Sequence, residues 1–304
     1  RTCIPNGRTT GGRNPCAKGG PISVLPAMLL QLNKEREETM SYNEQVIEVD
    51  GLPVRVWRKG TGPKLTFLPG FAGLPRWTPF LDRLAEKYSL VVPSLPGFPG
   101  AAANHNDLDD HLDWIVATRN ILLAADALGG ELVGSSVGGA LAAEMAALWP
   151  ADVTRLVLIG PMGVYLEQDP TTDPWAQRAD RIPPLMTDDP ELFKALREKP
   201  DGVDGTDWKI MQSRADAAAA RLLWPLGDTR LSKRLKLISA PTLLLWGSAD
   251  KVVPPSYAGH FAERIGGRVE TALIEGAGHL AWLDKPEQTA DAIFAVRQAS
   301  RLAG

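Results

Sequence analysis

The pentapeptide Gly134-Ser135-Ser136-Val137-Gly138 stands directly between a strand-like stretch, residues 131–133, and an Ala-rich stretch of helical character, residues 137–148. A chain that passes from strand to helix through so few residues must turn sharply. Such a turn thrusts one side chain above the sheet, and small residues two positions to either side relieve the crowding. Register makes that side chain Ser136, because Ser135 would need a glycine where Val133 stands. The competing reading is a glycine-rich turn that only packs a helix against a sheet. Either way a buried strand must feed a helix at once, which points to an α/β architecture.

The rest of the chain agrees. Residues 45–49 and 54–58 read as strands around Asp50-Gly51, a hairpin signal. Residues 65–68, 90–92, 156–159, 242–246 and 269–274 are further strands, and residues 77–88, 108–122, 255–265 and 287–296 carry helical periodicity. Nearly every residue of 242–246 is apolar, as expected where helices cover both faces of a sheet. Strands alternating with helices predict a doubly wound, mostly parallel sheet that begins with an antiparallel hairpin. Residues 166–237 break the pattern. They hold seven prolines, two helical stretches at 191–199 and 213–224, and no convincing strand. This is too long for an ordinary connection. It reads as a helical cap inserted between two sheet strands, over the crevice at the strand carboxyl ends. The expected organisation is a core of residues 40–165 and 238–304 with a cap at 166–237.

Composition excludes several classes. Thirty-three Lys and Arg against 36 Asp and Glu, a net charge of −3, argue against a nucleic-acid partner and against a polybasic membrane anchor. No apolar run reaches the roughly 20 residues of a membrane span. Cys3 and Cys16 are the only cysteines, so thiolate zinc is excluded by number and the fold stands without a disulfide. Residues 1–39 differ from the rest: glycines interrupt them, and the apolar stretch 22–32 has no small-x-small cleavage site after it. Lys34-Glu35-Arg36-Glu37-Glu38 can be written in purine codons, like a ribosome-binding site, just before Met40. Residues 1–39 are therefore expected to be a disordered or non-native N-terminal extension, and the protein to be cytoplasmic.

A serine nucleophile needs a base. Of the four histidines, His111 and His260 fall within predicted helices and His105 in a loop, where it could face a pocket. His279 ends Gly276-Ala277-Gly278-His279, immediately after the last strand, and is the expected base. Asp250, at the carboxyl end of another strand, is the expected acid that orients it. Glu275 and Asp284 are nearer in sequence, but nearness along the chain is not nearness in the fold. Helix capping is the competing role for Asp250.

These motifs together resemble the α/β-hydrolase superfamily, in its capped branch of microbial carboxylesterases and carbon–carbon bond hydrolases. The resemblance covers about residues 42–300 through the elbow, Leu245-Trp246-Gly247-x-x-Asp250 and Gly276-x-Gly278-His279. It implies a Ser136-Asp250-His279 triad and an oxyanion hole formed by the backbone N–H groups of Val137 and Phe71. The family's usual His-Gly is Pro69-Gly70 here, which removes a brace from the Phe71 loop. A serine at the elbow argues against epoxide hydrolases and haloalkane dehalogenases, whose nucleophile is Asp.

Met162, Trp175, Met186, Trp208, Met211 and Trp224 are candidate pocket residues beneath the cap, with mutual packing of the cap helices as the plainer role. Arg178, Arg181, Arg197, Arg214 and Arg221 read as solvated surface; one turned inward would suit a carboxylate-bearing substrate. The expected activity is hydrolysis of small to medium apolar carboxylic esters through an acyl-enzyme, with no metal or organic cofactor. The rivals are a carbon–carbon hydrolase of vinylogous diketone acids, a lactonase and a non-catalytic small-molecule receptor.

Overall fold

The computed structural model describes residues 42–224 and 227–302, with side chains as far as residue 295. The expected extension 1–39 and the start at Met40 lie outside the described residues. Eight strands form one sheet: β1 (Asn43–Val49), β2 (Leu52–Lys59), β3 (Lys64–Leu68), β4 (Ser89–Pro93), β5 (Gly130–Ser135), β6 (Val153–Ile159), β7 (Thr242–Gly247) and β8 (Val269–Ile274). Their spatial order is β1-β2-β4-β3-β5-β6-β7-β8. β1 and β2 pair antiparallel, as do β2 and β4, and the remaining pairs are parallel. Asp50 and Gly51 both take positive φ, 52° and 79°, so Val49 and Leu52 pair across a two-residue turn as that dipeptide predicts.

Around the sheet run α1 (Pro79–Ala85), α2 (His111–Ala124), α3 (Ser136–Leu148), α7 (Tyr257–Arg264), α8 (Ala281–Asp284) and α9 (Pro286–Leu302). Between β6 and β7 lie α4 (Pro183–Met186), α5 (Pro190–Leu196) and α6 (Gly205–Leu223), with no sheet strand among the described residues there. Leu132 and Val133 of β5, Leu156–Ile159 of β6 and Leu243–Trp246 of β7 are buried in the core. No described helix is long and apolar enough to cross a membrane.

Two helix starts differ from the periodicity by three residues or more. α2 begins at His111 rather than residue 108, because Asp110 accepts from the Leu112 and Asp113 N–H groups while Asp113 returns the contact in a capping box. α6 begins at Gly205, eight residues before residue 213. Asp204 caps it, and its first turns are too polar to show an apolar repeat.

The strand order reverses where the chain passes from β3 to β4 on one side and returns to β5 on the other. The crevice at the carboxyl ends of β3 and β5 is the switch point where ligands bind in open α/β sheets. Ser136 and the loop that begins at Pro69 meet there.

Candidate active site

Ser136 is the first residue of α3 and carries φ 53°. A non-glycine residue held in the left-handed region costs about 1–3 kcal/mol and persists only where its surroundings demand it. Here β5 and α3 are both locked by burial, and the single residue between them absorbs the turn. A Cβ on Gly134 would come within 2.4 Å of the Gly138 carbonyl, so the helix can approach the strand only if that residue is glycine. No side chain caps α3. Its first amides therefore stay directed at the space above Ser136, where they favour developing negative charge.

His279 Nε2 lies 2.7 Å from Ser136 Oγ, and its Nδ1 lies 2.9 Å from Asp250 Oδ2. The other oxygen of Asp250 accepts from the Val252 and Val253 N–H groups at 2.8 and 2.9 Å. The carboxylate thus both caps the following turn and faces the imidazole. Ser136 and His279 are each 1% exposed, which removes water from the contact between them. The tautomer follows from this network: Nδ1–H donates to the carboxylate, leaving Nε2 free to accept from the serine.

Supporting contacts hold this geometry. Asp284 accepts from Gly278 N–H at 2.7 Å and from Asp188 N–H at 2.8 Å, tying the histidine loop to the insertion. Leu280 N–H donates to the Met186 carbonyl at 2.8 Å. Trp282 Nε1 donates to Ser135 Oγ at 3.0 Å. Sequence reasoning missed Trp282, since a tryptophan three residues after a histidine carries no signal of its own. It weighed Asp284 only as a triad acid.

The loop after β3 reaches the same point. A Cβ on Gly70 would sit 2.4 Å from Ser136 Cβ, so backbone meets the serine there without side-chain interference. Phe71 follows at φ 49° and is buried.

The six apolar pocket candidates separate. Met162, Trp175 and Trp224 line a cavity of about 200 Å³, with Tyr165 and Leu223 among its other walls. Trp224 is 79% exposed at its edge. Trp208 and Met211 line a smaller cavity of about 20 Å³ beside Gly70, Phe71, Leu280 and Trp282. Met186 lines neither: it is 0% exposed within the core, and its contribution is the carbonyl that receives Leu280. Phe71 faces the small cavity and Trp175 the larger one, and their rings stack at 5.5 Å and 3°.

The arginines correct a second expectation. Arg178 and Arg181 are exposed, but Arg197 and Arg214 turn inward. Arg214 donates to the Gly97 and Ala101 carbonyls at 3.1 and 3.2 Å. Arg197 lines the small cavity, yet it is held by Asp216 through two hydrogen bonds of 2.9 and 2.8 Å. Arg221 reaches the Leu108 carbonyl and Asp109. The remaining histidines stand away from the serine. His105 is buried against Gly97 and α6, where burial and Arg214 lower its pKa. His111 contacts Glu144 and His260 contacts Ser232. No cluster of metal-ligating side chains occurs among the described residues.

Comparison with known proteins decides the family. The model of the "Alpha/beta hydrolase family" matches residues 67–292, most of the chain. The chain belongs to this family. Among curated relatives, the hydrolase is 26% identical over 261 residues to human monoacylglycerol lipase ABHD6, covering 78% of this chain and 76% of the relative. Among solved structures it is similar to a bacterial membrane phospholipase A (26% identity, TM-score 0.66), covering 92% of this chain and 93% of that one. It also shares its fold with the 2-hydroxy-6-oxo-6-phenylhexa-2,4-dienoate hydrolase of Rhodococcus sp. strain RHA1 (16% identity, TM-score 0.68), covering 84% and 98% of the two chains.

Proposed function

We propose that this hydrolase cleaves carboxylic esters of apolar substrates through a serine acyl-enzyme, with Ser136, His279 and Asp250 as its triad. The observation that carries the reading is the unbroken relay from Asp250 Oδ2 through His279 to Ser136 Oγ, at 2.9 and 2.7 Å, on a strained elbow. Ser136 Oγ attacks the acyl carbon as its proton passes to His279 Nε2. Asp250 holds the imidazole in the required tautomer and stabilises the imidazolium. The tetrahedral oxyanion forms between the N–H groups of Val137 and Phe71, one such donor typically contributing about 10²–10³ in rate. His279 then protonates the leaving alcohol, and water activated by the same nitrogen releases the acid. The chemistry takes place without any cofactor. The insertion acts as a cap over this site.

The cavity walls support this substrate class. Both cavities are mainly apolar, and the cation in the smaller one, Arg197, is already neutralised by Asp216. A carboxylate-bearing carbon–carbon substrate would have to displace that pairing, whereas a neutral ester need not. The names of the lipase and phospholipase relatives agree with ester chemistry.

The test is hydrolysis of p-nitrophenyl butyrate by the wild type and Ser136→Ala, purified in parallel. Turnover by the wild type that falls by about 10⁴-fold or more in the variant is expected. Equal turnover in both would refute the nucleophile, and a folded but inactive wild type would refute ester hydrolysis.

A further inference from the structure

Phe71 holds φ 49° at the second position of a turn that the Gly73 N–H closes on the Gly70 carbonyl at 3.1 Å, a place that favours glycine. A non-glycine residue there carries strain of about 1–3 kcal/mol, which packing around it can help to hold. Three side chains of the insertion pack against its ring. Trp175 stacks flat on the ring, with centroids 5.5 Å apart. Phe193, on α5, meets it edge to face at 5.5 Å. The Arg197 guanidinium lies 5.6 Å from the ring centroid. Arg197 is itself anchored to α6. Asp216 takes both of its terminal nitrogens, and its carbonyl accepts from Trp208 Nε1 at 3.2 Å and Gln212 Nε2 at 2.6 Å. Among the described residues the Phe71 N–H has no acceptor, and Gly70 brings it against Ser136.

We propose that Trp175, Phe193 and Arg197 are positioning residues that hold the Phe71 amide as an oxyanion donor, so that the insertion completes the catalytic site as well as covering it. The inference rests on the serine-hydrolase reading above. The clamp replaces, from the other side of the crevice, the brace that Pro69 cannot provide inside the loop: proline has no polar side chain. Because Trp175 also walls the 200 Å³ cavity, an occupant there touches the same ring that fixes the donor. Acyl or alcohol groups that fill the cavity are thereby coupled to the rate of the chemical step.

The experiment measures kcat and KM for p-nitrophenyl butyrate in Trp175→Leu, Trp175→Phe, Phe71→Gly and the double variant Phe71→Gly/Trp175→Leu, with Ser136→Ala as the control and thermal melting to establish folding. Trp175→Leu is expected to lower kcat by about 10-fold, a fraction of one donor's worth, with KM within about 3-fold. Trp175→Phe, which retains a flat ring, is expected to restore kcat to within about 3-fold of wild type. Phe71→Gly removes the clamped ring, so adding Trp175→Leu to it is expected to cost less than about 2-fold more. A raised KM with unchanged kcat, or losses that multiply in the double variant, would overturn the clamp and leave Trp175 as a pocket wall. Should Trp175→Leu fail to fold, Arg197→Met reads the same clamp: a kcat loss absent from the Phe71→Gly background supports it, and equal loss in both backgrounds overturns it. Turnover in Ser136→Ala equal to that of the wild type would instead refute the nucleophile, whatever the clamp variants do.

Discussion

Trp282 Nε1 donates to Ser135 Oγ at 3.0 Å, joining the residue before Ser136 to the helix that follows His279. Both groups are buried. The two adjacent serines of the elbow therefore face different partners: Ser136 faces His279, and Ser135 braces the floor beneath it. Trp282→Phe leaves a hydroxyl buried without its donor, at a cost of about 1–3 kcal/mol. Urea unfolding should show that loss. Ser135→Ala should keep most turnover, while Ser136→Ala should not; the reverse would shift the nucleophile by one residue.

Asp250→Asn tests the relay at its far end. The remaining amide oxygen can still cap Val252 and Val253. An amide nitrogen facing His279 would favour the wrong tautomer, and a loss in kcat of roughly 10²–10⁴ is expected with a melting temperature close to wild type. Retained kcat would remove Asp250 from the triad.

Gly160 lies at φ 48° beside Asp250 and His279. A Cβ there would stand 3.1 Å from Asp250 Oδ2 and 3.4 Å from His279 Nδ1. Gly160→Ala should combine backbone strain of about 1 kcal/mol with a displacement of the carboxylate. The expected signature is a kcat loss with little change in KM. An unaltered kcat would mean that the pair tolerates movement at this point.

Glu144 carries the pH dependence that the structure makes most specific. It is fully buried on α3, gripped by Arg234 and 3.2 Å from His111 Nε2. Burial pushes its pKa up, but the hydrogen bonds from His111 and Arg234 together outweigh that and leave the carboxyl below its ordinary value of 4.5. A carboxyl whose native pKa is depressed contributes stability above its unfolded pKa, and that stability is lost as pH falls through the native value. Stability should therefore decline on acidification below about pH 4.5. Glu144→Gln should flatten that part of the profile. It should also cost about 3–5 kcal/mol at neutral pH, because Arg234 loses the partner of its partly buried charge. Urea midpoints at a series of pH values measure both; an unchanged slope would refute the assignment.

The sheet was legible because its inner parallel strands, β3 to β7, are short apolar runs closed by Gly or Pro, and burial on both faces demands that pattern. Ser136, Asp250 and His279 were legible for a related reason. Each sits at the carboxyl end of a strand that periodicity already locates, and the elbow tolerates only small neighbours. The early start of α6 was not visible, because its stop and start signals lie in polar residues that also suit a loop. The inward turn of Arg197 and Arg214 was equally hidden. An arginine in sequence looks solvated, and only Asp216 and the Gly97 and Ala101 carbonyls make burial affordable.

Local chemistry in the chain determined the strand–elbow–helix, the places of Ser136, Asp250 and His279 just beyond strand ends, and the helical insertion after β6. Tertiary structure alone decided which groups meet across long separations. Ser136 and His279 are 143 residues apart and 2.7 Å apart in space. Phe71 is clamped by residues more than a hundred positions away, and Met186 serves through its carbonyl rather than its side chain. The reason is physical. Backbone turns and apolar periodicity are set by neighbours within a few residues, whereas cavity walls and hydrogen-bond partners depend on how packed layers come to rest against each other.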